Sequence, residues 1–243
     1  ALALARIRQL SAHEVGHTLG FQHNFAASAN NRASVMDYPH PLISLKNDNI
    51  VFDDAYAIGI GAWDIATVMY SYSDFPDGTD ETKALNNILN KAYGNGLRYI
   101  SDSDARASGG AHPYAHLWDG GRSASEELDR VMAVRKKAIE QFSLDNIKDG
   151  EAVSVLEDVF APIYFFHRYQ AEAASKLIGG VEYNYATKED LQSPRPVSAK
   201  EQRLALSAIL KTLQASELAI PKAQLELFPP RSPGYGRTRE SFI

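Results

Sequence analysis

The chain has 243 residues, 44% of them hydrophobic and 23% charged, with a formal net charge of −5. This is enough for one large globular domain or two small ones, and the mild acidity gives no case for a nucleic-acid partner. There is no cysteine, which excludes disulfides and thiolate metal ligands, and no apolar stretch is long enough for a membrane span.

The first expected helix runs from residue 3 to about 20, with Leu4, Ile7, Leu10 and Val15 near one another at helical spacing. It carries the most informative stretch of the chain, His13-Glu14-Val15-Gly16-His17-Thr18-Leu19-Gly20-Phe21-Gln22-His23. His13 and His17 lie one turn apart on one helix face and can reach a single ion. Glu14, beside the first ligand, is placed to take a proton from a metal-bound water. Gly20 lets the chain leave the helix in a backbone conformation that other residues resist, and the turn returns His23 as a third ligand. Three protein ligands leave a fourth position for water, the pattern of a catalytic zinc rather than a structural one. A bare H-E-x-x-H arises by chance in about one chain of this length in a hundred; Gly20 and His23 at fixed offsets lower that to roughly one in 10⁵.

Residues 24–53, with Pro39, Pro41 and several Asn, read as loop. Within it lies Ser34-Val35-Met36-Asp37-Tyr38, which carries one of only three methionines. Residues 54–72 read as a second helix, interrupted or preceded by Gly59 and Gly61, and Ser73 to Gly78 is a turn-rich break. Thr79 is an expected N-cap for a helix over 80–93, stopped by Gly94 and Gly96. Leu97 to Ser101 reads as a short strand and 102–121 as polar loop. Ser123 caps a helix to about 142, with Glu126 completing a capping box, and Arg135-Lys136-Lys137 reads as its solvated face. A further helical stretch covers 151–178, where Pro162 must kink it or start a new segment. Val181 to Ala186 alternates as a strand, Ser198 caps a last long helix to about 214, and the Pro-, Gly- and Arg-rich end from Phe228 reads as irregular.

With these elements in place, the zinc motif followed by S-x-M-x-Y resembles the metzincin zinc peptidases, in the form of their astacin-like and serralysin-like branches. Leu117-Trp118-Asp119-Gly120-Gly121, Phe166-His167-Arg168-Tyr169-Gln170 and Lys176-Leu177-Ile178-Gly179-Gly180 extend the resemblance over most of the chain, to large bacterial zinc-dependent metalloproteases of the met-zincin type. The resemblance implies that Met36 forms an apolar floor beneath the zinc. It also implies that the Tyr38 hydroxyl approaches the metal as an extra ligand or as a donor to the oxyanion, with packing before Pro39-His40-Pro41 as the alternative. A metzincin catalytic domain has a twisted sheet upstream of its zinc helix, whose edge strand pairs with the substrate backbone. Only twelve residues precede His13. The expected fold is therefore mainly α: the lower half of a metzincin catalytic domain (1–75) plus a mainly helical extension (76–243), with at most short strands and the sheet in a missing N-terminal part of the same protein. Export signals would lie there too, and the resemblance implies an exported protein.

The expected function is a zinc-dependent endopeptidase acting on a peptide or protein substrate, with Glu14 as general base and Tyr38 supporting the oxyanion. The fragment itself is expected to be weak or inactive. The alternative is a zinc-containing binding or scaffold module without turnover, against which the intact Glu14 argues. Among other candidates, His112 and His116 are four apart, but Pro113 makes a continuous helix through both unfavourable, so they read as loop histidines near the substrate cleft. His167 reads as a satisfied core or interface histidine. Asp102, Asp104 and Asp119 could bind a hard cation, yet lack the spacing of a calcium loop.

Overall fold

The computed structural model describes residues 2–106, 110, 112–185, 187–188 and 193–229. The chain is mainly helical: α1 (Leu2–Thr18), α2 (Ala62–Tyr72), α3 (Glu81–Gly94), the short α4 (Asp102–Ala105), α5 (Ala124–Glu140), α6 (Leu156–Tyr164), α7 (Arg168–Ser175), α8 (Ala199–Thr212), and two single turns α9 (Ala215–Leu218) and α10 (Lys222–Leu225). Among the described residues, strands are confined to two antiparallel pairs, β1 (Ser44–Lys46) with β2 (Asn49–Val51), and β3 (Val181–Glu182) with β4 (Arg195–Pro196). Among the described residues no helix is long and apolar enough to cross a membrane.

Helix α5 is the hub of the C-terminal half. Its Ser123 cap accepts from the Glu126 amide, and Leu128, Val131, Met132, Val134 and Ile139 recur at the spacing that lines one broad helical face. Leu128 and Met132 pack on Ala174 of α7 and Ala208 of α8. At its other end, Ile139 joins Phe142, Leu156, Phe160, Tyr164, Ile220 and Phe228. Full burial of a side chain such as Leu156 or Phe160 is worth about 1.5–3 kcal/mol. Arg135 departs from the expected solvated face. It is 2% exposed, and its guanidinium donates to the last carbonyl of α6, Tyr164 O, at 2.6 Å and to Glu217 O at 3.0 Å. Partners from two neighbouring helix ends outweigh the local charge pattern of the run.

Several boundaries move. The helix expected over 54–72 begins only at Ala62, because Gly59 takes the left-handed region (φ 83°) and Gly61 is the N-cap. The cap of α3 is Asp80, which accepts from the Lys83 amide, while the Thr79 hydroxyl donates to Pro76 O. The 97–101 segment is irregular, its bonds going to Asn24 and Phe25 instead of a ladder. The stretch read as loop over 24–53 contains the β1–β2 hairpin, and α4 interrupts the loop expected over 102–121. The helical stretch expected over 151–178 breaks at Phe165–His167, three residues past Pro162, which sits inside α6. The strand expected over 181–186 is only two residues long. Residues 230–243, expected to be irregular, lie outside the described residues.

Candidate metal centre

Helix α1 delivers the first two histidines and ends where the motif requires. Gly20 (φ 86°) is the left-handed residue past its end. Its amide reaches His17 O at 2.9 Å and the Phe21 amide reaches Gly16 O at 3.1 Å, a Schellman closure. The same turn aims a ligand, since Phe21 O accepts from His17 Nδ1 at 2.9 Å. After it the chain runs back to His23.

The three imidazoles converge. His17 Nε2 is 3.1 Å from His13 Nε2 and 3.2 Å from His23 Nε2. Among the described residues, His13, His17 and His23 alone form a group of three or more possible ligands close enough to hold a metal ion. Each ring is oriented from its far side. His13 Nδ1 reaches Val35 O at 2.8 Å, His17 Nδ1 reaches Phe21 O, and His23 Nδ1 reaches Asp102 Oδ2 at 2.8 Å. An Nδ1–H given to an acceptor fixes the tautomer that presents a bare Nε2 to a metal. Burial lowers the pKa of His13, against the opposing pull of its Val35 bond, and so favours the neutral, ligating ring. This donor set fits zinc.

The Met-turn packs against α1, through Val35 O on the His13 ring and Met36 beside Gly16. Asp64, at the start of α2 and 4% exposed, accepts from Ser34 Oγ at 2.5 Å, from the Val35 amide at 2.8 Å and from the Gly61 amide at 2.7 Å. The turn is thereby fixed to α2, and Val35 O faces His13. Met36 is 2% exposed and packs with Phe21 and Val35. A Cβ added at Gly16 would lie 2.2 Å from Met36 Sδ, so the helix and the Met-turn approach as closely as a glycine permits. The Tyr38 ring centroid lies 4.8 Å from that of His23 and 5.4 Å from that of His13. Trp118, itself in the left-handed region (φ 63°), stacks on Tyr38 at 5.2 Å. Glu14 is exposed beside His13.

The other histidines do not join this cluster. His112 is fully buried and its Nε2 meets Tyr183 O at 3.0 Å, so it is a packed residue rather than a cleft histidine. His116 Nε2 lies 3.3 Å from Glu172 Oε2 without hydrogen-bond alignment. His167 precedes α7 and is half-buried beside the Tyr164 backbone, with no geometric hydrogen bond at its Nδ1. Asp102, Asp104 and Asp119 serve separate partners: His23, the Tyr183 and Tyr185 hydroxyls, and Ser28. Asp102 and Asp64 are the site residues that sequence reasoning missed as such. Asp102 is 79 positions from His23, and nothing in either local pattern links them.

A protein-family model described as Met-zincin matches residues 1–241. Neither a curated protein nor a solved structure gives a significant match. Together with the histidine cluster, the match supports a metzincin-like zinc metalloprotease at the level of family: the chain belongs to the Met-zincin family.

Proposed function

We propose that the chain carries the metal-binding half of a zinc-dependent endopeptidase. The observation that carries this reading is the convergence of three imidazole Nε2 atoms whose Nδ1 atoms are all engaged from behind. Bound zinc supplies Lewis acidity, which activates a water and polarises a carbonyl. His13, His17 and His23 hold the ion. Glu14, next in sequence to the first ligand and open to solvent, accepts the proton of the attacking water and returns it to the leaving amine. The Tyr38 hydroxyl, its ring packed between His23 and Trp118, donates to the developing oxyanion.

The same reading accounts for an apolar strip on α1. Leu4, Ile7 and Val15 are 66%, 57% and 56% exposed on the helix that holds two of the ligands. We assign this strip to contact with an upstream segment of the same protein that completes the substrate cleft.

The test is Glu14→Gln, assayed for zinc content and for casein cleavage in this chain and in a longer natural form of the protein. The variant should keep its zinc and lose roughly 10²- to 10⁴-fold in rate. A Gln variant that cleaves at the wild-type rate refutes the assignment. A wild-type protein that binds zinc but never cleaves leaves a binding module instead.

A further inference from the structure

The third ligand differs from the first two. His13 and His17 are held by a helix and lean on neutral backbone carbonyls, whereas His23 sits beyond the helix and leans on a carboxylate. An ionised acceptor makes a stronger, more directional bond than a carbonyl and leaves the ring a better donor to a metal.

That carboxylate is held at both oxygens, with 35% of its side chain still exposed. Asp102 Oδ1 accepts from Arg106 Nε at 2.5 Å. The Arg106 guanidinium lies over the Tyr38 and Phe25 rings, 5.0 and 5.4 Å from their centroids, and the Phe25 ring is 5.1 Å from that of His23. Helix α4, which carries Asp102, is only four residues long and is fastened from the C-terminal half. Its Asp104 accepts from Tyr183 Oη at 2.5 Å and from Tyr185 Oη at 2.6 Å. Tyr185 Oη also accepts from the Ser101 amide at 3.1 Å. Lys176 Nζ donates to Ala105 O at 3.0 Å and to Ala115 O at 2.7 Å. On the other side, Asn24, adjacent to the ligand, binds Arg98 O at 2.8 Å and the Ile100 amide at 3.2 Å. A free four-residue helix would fray; these bonds replace the stability it lacks.

We propose that Asp102 is the positioning residue of the third metal ligand, and that Tyr183, Tyr185 and Lys176 set the metal affinity by holding α4. This inference rests on the zinc reading. It adds that the segment after residue 100 is part of the metal centre, acting 79 residues from the ligand it aims.

The test is zinc affinity of the full chain, measured by competition with a chromophoric chelator, with cobalt substitution as a spectroscopic readout. His17→Ala controls for the zinc reading. Asp129→Asn, which makes the same charge change at an exposed pair with Lys211, controls for charge. Asp102→Ala should weaken zinc by about 10- to 100-fold and shift the cobalt d–d bands. Asp102→Asn, which keeps an acceptor of the same shape, should restore part of the loss. Tyr183→Phe with Tyr185→Phe should weaken zinc several-fold with Asp102 intact. Melting of the metal-free variants separates positioning from misfolding, and if Asp102→Ala does not fold, the isosteric Asn variant and the double Phe variant decide. Wild-type affinity and cobalt spectrum in those variants, with zinc lost in His17→Ala, overturns the proposal and leaves the zinc reading standing. Unchanged zinc binding in His17→Ala, or none in the wild type, overturns both.

Discussion

Gly16→Ala tests whether the metal helix and the Met-turn are in contact. The new Cβ would stand 2.2 Å from Met36 Sδ, 3.3 Å from Cε and 3.6 Å from Cγ. Ordinary carbon contacts begin near 3.5–4.0 Å, so the sulfur must move by more than an ångström. Met36 is 2% exposed among Phe21, Val35 and Ala12, which leaves it little room. Overpacking of this kind costs about 1–3 kcal/mol. Alanine in place of glycine inside a helix returns about 1 kcal/mol. The net loss is then roughly 0–2 kcal/mol, up to about 8 °C in Tm at 2–4 °C per kcal/mol for a chain of this size. In a Met36→Ala background the clash vanishes and only the helix term remains, so the same substitution should stabilise by about 1 kcal/mol. Thermal melts of the four proteins form a double-mutant cycle with an expected coupling of about 1–3 kcal/mol. If Gly16→Ala has the same effect with and without Met36, the contact does not govern this position and the reasoning fails.

Asp64→Asn should destabilise by about 1–3 kcal/mol in urea unfolding, because one carboxylate oxygen becomes an N–H donor facing the Ser34 hydroxyl and the two backbone N–H bonds to the other lose their charged acceptor; a loss below 0.5 kcal/mol would show that the Met-turn is held by other contacts. Burial raises the neighbouring Asp119 and Asp37 carboxyls, so above the ordinary carboxylate range the folded protein keeps protons that the unfolded chain has released. The pair's contribution falls as pH rises from the unfolded towards the folded values, by at most about 1.4 kcal/mol per unit for each proton kept. Burial lowers His112 to about 4, with the opposite sign: stability is lost as pH falls from 6.5 towards 4, where the unfolded chain takes up a proton that the folded protein refuses. Stability measured against pH should therefore decline less steeply in Asp119→Asn, which leaves the buried Asp37 carboxyl also raised, and should lose less on the acid side in His112→Gln, which leaves His40 and His116 also lowered to about 4; unaltered profiles would show that neither group is buried as the structure has it.

The zinc motif was legible because its function is local. Ligand spacing, base and exit glycine all lie within eleven residues, and α1 ends on the glycine the motif requires. The Ser123 and Ser198 caps were legible for the same reason. What escaped is either non-local or hidden by stronger local signals. Pro39 and Pro41 marked their region as loop, masking the hairpin just beyond, whose turn is made by Asn47 and Asp48 with φ of 50° and 60°. Arg135 sits in a basic run, and only carbonyls 29 and 82 positions away explain its burial. Val35 and Asp102, which meet ligand rings, and Asp64, which holds the Met-turn, are ordinary residues until the chain folds.

The core is divided. Among the described residues, the cluster around Phe160 and Leu156 shares no side chain with the Phe21–Val35–Met36 cluster or with the Phe25–Ile100 cluster beside the histidines. Separate clusters open with separate free energies, and amide protons report each opening on its own. A metal at the histidines is worth RT ln(1 + [L]/Kd), about 4 kcal/mol at a thousandfold excess over Kd. Where the two regions open independently, that energy reaches only amides exposed by openings that release the ion. Saturating metal would then slow exchange along α1, the Met-turn and α4, while α6 keeps its own rate, and the chain would carry two stabilities that a single melting curve would blend into one.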